Sequence, residues 1–217
     1  MKTAMRFSSL LLLLLAAALP LAQAAELVVR DGHFAVEMLP TDFDYELKSA
    51  TSSGSSSDAF EQNIGIAAGV LYSFSGPGDV TGFIVGGEIA ASQASYQSIG
   101  HLTSLSGRLQ GGYAWAITDS WMVRGMAEVG YGFSTLDLTA NSAFPAVSAD
   151  GSLLGYGARV GIQYSFNDLL HVGLDVGWLD ITHELSGDGV DLTLTNSGLV
   201  VGLGISYRLS NSPRPLE

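Results

Sequence analysis

Cysteine is missing from all 217 residues. The chain therefore has no disulfide, no thiolate metal site and no thiol chemistry. Cations are scarce as well: Lys and Arg total 9 against 21 Asp and Glu, a formal net charge of −12. That balance leaves no basic footprint for a nucleic acid. Charged residues of both signs make up only 14% of the chain, while 47% is hydrophobic. Yet there is only one long apolar run, Leu10 to Leu21. It is shorter than the ~20 residues a spanning helix needs, so a helical membrane protein is excluded. The apolar content must be distributed in another pattern.

The single apolar run has its own explanation. Lys2 and Arg6 precede it, and Ala22-Gln23-Ala24 closes it as a small-residue cleavage pattern. This is a secretory signal peptide over residues 1–24. Its removal takes Lys2 and Arg6 and no acid, so 7 cations face 21 acids in the mature chain. The remainder is of a length that suits one domain.

The distributed pattern is clearest from Leu105 to Phe133. Leu105, Gly107, Leu109, Gly111, Tyr113, Trp115 and Ile117 alternate with Ser106, Arg108, Gln110, Gly112, Ala114 and Ala116. After Thr118-Asp119-Ser120 the alternation resumes from Trp121 through Val123 and Val129 to Phe133, against Met122, Arg124, Met126, Glu128, Gly130 and Gly132. A period of two means strands, with successive side chains on opposite faces. Here the apolar face is rich in aromatics, and the polar face is sparse and glycine-rich. That is a membrane-spanning hairpin with lipid outside and a polar interior. Trp121 to Phe133 is twelve steps, or ~40 Å of strand at ~3.3 Å each. Tilted by ~40°, it spans slightly more than the ~25 Å apolar band of such barrels. A soluble barrel would need its aromatic rows inside and its arginines outside.

The same alternation predicts an all-β fold, an eight-stranded antiparallel up-and-down transmembrane β-barrel over residues 41–209. Strand one lies near Thr41 to Ala50, with Phe43, Tyr45 and Leu47 outward and Asp44, Glu46 and Lys48 inward. Further strands follow around Ile64–Phe74, Phe83–Ala91, Leu105–Ile117, Trp121–Phe133, Leu154–Phe166, Leu170–Trp178 and Gly198–Leu209. Residues 51–62, 93–104, 136–151 and 182–196 are expected as long loops, and Ser75–Asp79, Thr118–Ser120 and Asn167-Asp168 as short turns. Residues 25–40 form an N-terminal lead-in. Phe34, Val36 and Met38 alternate there before Pro40, so this segment either extends the first strand or lies as a periplasmic lead-in. Residues 210–217 are a C-terminal tail.

Most mature cations fall on the inward phase: Lys48, Arg108, Arg124, Arg159 and Arg208. Asp44, Glu46, Glu88, Glu128 and Asp175 accompany them. An eight-stranded barrel is only wide enough for its interior to fill with side chains. Ionised groups inside it must be paired, because a lone buried charge costs ~3–5 kcal/mol. The expectation is a salt-bridge network of Asp44, Glu46, Lys48, Glu88, Arg108, Arg124, Glu128, Arg159 and Asp175 that plugs the lumen. The alternative is that these charges line a small channel.

At this point the chain resembles the OmpA/OmpX-type eight-stranded outer-membrane β-barrel family, over roughly Thr41 to Leu209. The resemblance rests on the strand pattern, the inward Arg/Glu pairs and the closing strand Ser197-Gly-Leu-Val-Val-Gly-Leu-Gly-Ile-Ser-Tyr-Arg-Leu209. It implies an outer-membrane location, contact with outer-membrane lipid and insertion by the barrel-assembly machinery. Such barrels commonly end in an aromatic residue. Here Leu209 holds that place and Ser210 to Glu217 follow, a departure that bears on assembly.

Other chemistry has thinner support. A lipid acyl hydrolase would need a Ser/His pair at the outer rim, where His101 with Ser104 and His183 with Ser186 are the candidates. Neither has an evident orienting carboxylate beyond Glu184. His171 reads as a hydrogen-bonding lumen residue. Glu184, Asp188 and Asp191 would be the carboxylates for a Ca²⁺ ion, but their spacing is no EF-hand and a solvated acidic loop is the simpler reading. The expectation is a non-enzymatic barrel without cofactor or metal. It would act structurally or through surface interaction, with an extracellular partner the sequence does not identify.

Overall fold

The computed structural model describes residues 28–49, 53–74, 81–96, 100–139, 146–187 and 189–209. The expected signal peptide, residues 1–24, and the tail after Leu209 lie outside the described residues. Ten antiparallel strands are present: β1 (Val28–Met38), β2 (Asp42–Ser49), β3 (Ser53–Ala59), β4 (Gln62–Phe74), β5 (Gly82–Tyr96), β6 (Gly100–Ala116), β7 (Trp121–Leu138), β8 (Val147–Ser165), β9 (Leu170–Gly187) and β10 (Val190–Arg208). Their order is β1-β4-β5-β6-β7-β8-β9-β10-β2-β3, and β1 also pairs with β10, which closes the ring.

The count is ten rather than the expected eight, for a local reason. β1 and β2 run along β10 in one continuous register, Met38 opposite Val201 and Phe43 opposite Asn196. They are two halves of one stave, interrupted at Leu39-Pro40-Thr41, where proline has no N–H to give the ladder. β3 and β4 are likewise two halves of the second stave. Their register against the first stave changes by one residue, from Met38 opposite Ile64 to Asp42 opposite Ala59. The extra residue reverses the side-chain phase, so Phe60 and Asn63 both face inward. The two breaks are tied together: Leu39 N–H donates to Asn63 O at 2.9 Å, and Asn63 Nδ2 donates to Pro40 O at 2.8 Å. The barrel therefore has eight staves built from ten strands, and Val28–Met38 is part of its wall.

Outward side chains form an apolar belt. Phe34, Ile66, Ile89, Leu109, Val160, Leu174 and Leu203 are all exposed on the outer face. One end of the belt is ringed by aromatics in contact, Phe83–Tyr113 at 5.0 Å, Tyr113–Trp115 at 4.8 Å, Trp121–Tyr164 at 4.8 Å and Tyr164–Phe166 at 5.0 Å. This is the end that carries the short turns after β6 and β8. Tyr131, Phe133, Tyr156 and Trp178 stand exposed toward the other end.

The expected long loops are mostly strand. β3 occupies much of 51–62, β5 and β6 extend to Tyr96 and from Gly100, and β9 and β10 continue to Gly187 and Val190. Gly189, at φ 77°, makes the tight connection there. The staves thus run past the belt without losing phase while their chemistry inverts. Beyond Leu105 and Ile89 the outer face carries Thr103, His101 and Gln93, and the inner face carries Leu102 and Ala94. Sequence composition made these polar-rich segments look like loops. They are strands whose outer face meets water.

Candidate functional site

The inner face of the belt is built of charges, and their hub is Glu37, 1% exposed. Arg108 Nη1 donates to Glu37 Oε2 at 2.8 Å and to Glu88 Oε1 at 3.1 Å. Arg159 Nη1 donates to Glu37 Oε1, and its Nε donates to Glu128 Oε1 at 2.8 Å. His33 Nε2 lies 2.8 Å from Glu88 Oε2. Arg124 grips Asp175 as a fork, Nε to Oδ1 at 3.0 Å and Nη2 to Oδ2 at 2.6 Å. Glycines opposite make room. A Cβ on Gly161 would come 1.8 Å from Asp175 Oδ1, and one on Gly177 would come 2.8 Å from Arg159 Cγ.

The expected network is thus only partly the one brought together. Glu88, Arg108, Arg124, Glu128, Arg159 and Asp175 meet inside. Arg108 bonds Glu37 and Glu88 rather than its diagonal neighbour Glu128, and Asp175 bonds Arg124 rather than Arg159. Asp44, Glu46 and Lys48 do not join. They point outward and are exposed, with Lys48 3.1 Å from Glu46, while Phe43 is buried. The reason is their height. β2 lies beyond the belt, where the apolar residues face in. Arg208 stands apart near the turn end, 3.8 Å from buried Asp31, which also lies 3.9 Å from His171. Glu37, His33 and Asp31 were missed because Pro40 made their segment look like a lead-in. The alternation of Phe34, Val36 and Met38 was the available signal.

Apolar side chains pack beside the charges and beyond them toward the far end. Leu71, Ile84, Ala114 and Met126 pack together toward the turn end. Leu39, Leu179 and Val200 pack with Ile181. Toward the far end Phe43, Phe60, Ala94, Leu102, Leu136, Ala149, Leu185 and Leu194 form a cap, with Tyr45, Tyr96, Leu138 and Leu192 against it. Phe43 and Phe60 stack at 4.4 Å. Between charges and cap sits a cavity of about 30 Å³, lined by Asn63, Ser104, Ser106, Arg108, Glu128 and His183 among others. That is room for about two water molecules, and a second cavity of about 20 Å³ lies among Glu37, Arg124, Arg159 and Asp175.

His183 lies beyond the belt, 4% exposed under the cap. Its Nδ1 is 2.8 Å from Ser134 Oγ, which is 3.0 Å from Ser104 Oγ. Burial pulls its pKa down to about 4, so it is neutral at pH 7. The hydrolase pairs do not assemble. His101 and Ser186 point outward, whereas Ser104 and His183 point inward. Glu184 and Asp191 lie on the outer face, and Asp188 falls outside the described residues. Among the described residues no three His, Asp or Glu side chains gather as a metal site.

The outer face of the projecting end is acidic. Asp44, Glu46, Glu61, Asp137, Asp150, Glu184 and Asp191 are exposed there, and Lys48 is the cation among the described residues. At the end of β3 that leads into β4, the Tyr96 hydroxyl donates to Asp58 Oδ2 at 2.5 Å. That bond lowers the Asp58 pKa and, with burial, raises that of Tyr96 to about 12.

No protein-family model matches the chain, and no curated protein matches it. Among solved structures, the outer membrane protein OprG of Pseudomonas aeruginosa is similar at 14% identity and a TM-score of 0.49, covering 84% of this chain and 97% of that one. Ail, the attachment invasion locus protein of Yersinia pestis, is similar at 15% and 0.41, covering 83% and 99%. Neisserial surface protein A is similar at 12% and 0.43, covering 82% and 97%. At such identities and scores they carry no functional argument, and the barrel assignment rests on the closed ring of strands.

Proposed function

We propose that this protein is a non-enzymatic barrel of the outer membrane that works through its projecting end and not through its lumen. The signal peptide supports export, and the apolar belt supports insertion. The short-turn end faces the periplasm and the acidic end stands in the extracellular water. The observation that carries the reading is the filling of the lumen. Among the described residues, buried ion pairs, apolar side chains beside and above them and an aromatic cap leave two small cavities of about 30 and 20 Å³ where a pore would need a continuous path. The inverted polarity of the far end then has a purpose: it raises a rigid, water-facing collar above the membrane, suited to meeting a partner.

The test is conductance of the refolded mature barrel in a planar bilayer. The proposal expects a silent membrane at any voltage the bilayer survives. Regular, reproducible steps would give the lead to the small-channel reading.

A further inference from the structure

The ring leaves one strand half open. β2 is the partner of β3 among the described residues, whereas every stave lower down is paired on both sides. Phe60 N–H donates to Thr41 O at 2.9 Å, which makes Thr41–Phe60 a hydrogen-bonded pair. Such pairs alternate along an antiparallel ladder. Gly54, Ser56 and Asp58 therefore aim their backbone groups at β2, and Ser53, Ser55, Ser57 and Ala59 aim theirs away from it. The Ala59 N–H is taken by the Asp58 carboxylate at 2.8 Å. Among the described residues no strand pairs with Ser53, Ser55 or Ser57 on that side.

Natural proteins guard such edges with lysine, proline, a bulge or an inward charge. Ser53 to Ser57 carry none of these; the sequence is Ser-Gly-Ser-Ser-Ser. The edge also overlooks a notch. β4 stays paired with β5 up to Gln62 opposite Ser95, and above that point the ladder to β5 ends, with the Tyr96 hydroxyl still reaching Asp58 across the gap. An open cavity of about 640 Å³ lies there against Glu61, Gln62, Ser95 and His101.

We propose that the β3 edge is a docking site for an extended, basic segment of a partner protein, which adds as a strand and runs into this notch. Main-chain hydrogen bonds to Ser53, Ser55 and Ser57 supply the pairing. Charge selects the occupant. Glu61 borders the notch, Asp42, Asp44 and Glu46 lie on the outer face of the adjacent β2, and Asp137 stands opposite His101. A second copy of this chain would bring its own acidic collar toward this one, and the two like-charged surfaces repel. A lysine-bearing strand answers them. The proposal rests on the surface-interaction reading above and names the kind of partner.

The probe is a fluorescent ten-residue peptide of alternating Lys and Thr, titrated by anisotropy into the mature barrel in neutral detergent micelles, with empty micelles as blank. The expected result is saturable binding. It should weaken at least tenfold when Glu replaces Lys, when alternate peptide nitrogens are methylated, and in Ser55→Pro, whose lost N–H faced the edge and not β2. Ser55→Ala keeps the N–H and should bind as the parent does. Binding that ignores both N-methylation and Ser55→Pro would overturn strand addition, as simple adsorption to the acidic collar, and leave the surface-interaction reading standing. Absence of binding by any peptide would overturn the proposal. A dimer in micelles that Ser55→Pro dissolves would overturn it in favour of a second copy. Bilayer conductance judges the underlying reading separately.

Discussion

Glu37 accepts hydrogen bonds from two arginines on different staves, so it holds the charge layer together. Glu37→Gln would leave Arg108 and Arg159 sharing fewer carboxylates in a space they cannot leave. Removing one partner of a buried pair costs ~3–5 kcal/mol. The expected outcome is a loss of that order in urea unfolding of the micelle-bound barrel, with the fold retained on unboiled gels. Arg124 and Asp175 form a second ion pair in the same layer, so Asp175→Asn should also destabilise, and the double variant should lose an amount that differs from the sum of the two. His183 makes a prediction about pH. Its pKa is about 4 in the fold and about 6.5 in a solvated chain. As pH falls below 6.5 the unfolded chain gains a proton that the folded chain refuses, and stability declines until about pH 4. Over that window the loss approaches ~3 kcal/mol. His183→Gln should flatten the dependence of the urea midpoint between these pH values.

At the level of the strand, one periodicity serves two environments. Leu105 and Thr103 share the outer face of β6, and Arg108 and Leu102 the inner, yet Leu105 and Arg108 lie at the level of lipid and Thr103 and Leu102 at the level of water. The alternation, the barrel and the inward arginines of β6, β7 and β8 were legible because lipid-facing apolar residues mark the outside plainly. Alternation alone turns β2 inside out, because it gives Phe43 and Tyr45 the lipid that their height denies them. Pro40 punctuates the stave and hides the continuity of β1, and Ser and Gly give β3 no strand signal of their own. A partnered edge on one side is what holds β3 extended. Its amides should show the consequence: Ser55 and Ser57 should exchange with solvent roughly tenfold faster than Ser56 and Asp58. Equal rates would mean that β3 is paired on both edges or on neither. The cap makes a second prediction. Phe43→Ala removes a buried ring, at a cost of ~3–5 kcal/mol, and should open the far ends of the strands to protease. Phe133→Ala, on the lipid face, should not.

Taken whole, the molecule is a closed barrel turned inside out partway along its length, polar within the membrane level and apolar within the level above. The central claim is where the reversal falls. A chain without cysteine lends itself to single-cysteine labelling by a membrane-impermeant maleimide in outer-membrane vesicles. The account predicts that Gln93→Cys, Thr103→Cys and Glu184→Cys react, while Ile89→Cys, Leu105→Cys and Trp178→Cys on the same outer faces stay protected until detergent and denaturant are added. Equal reaction at both sets would contradict a membrane-spanning belt, and equal protection at both would contradict a collar that stands in water.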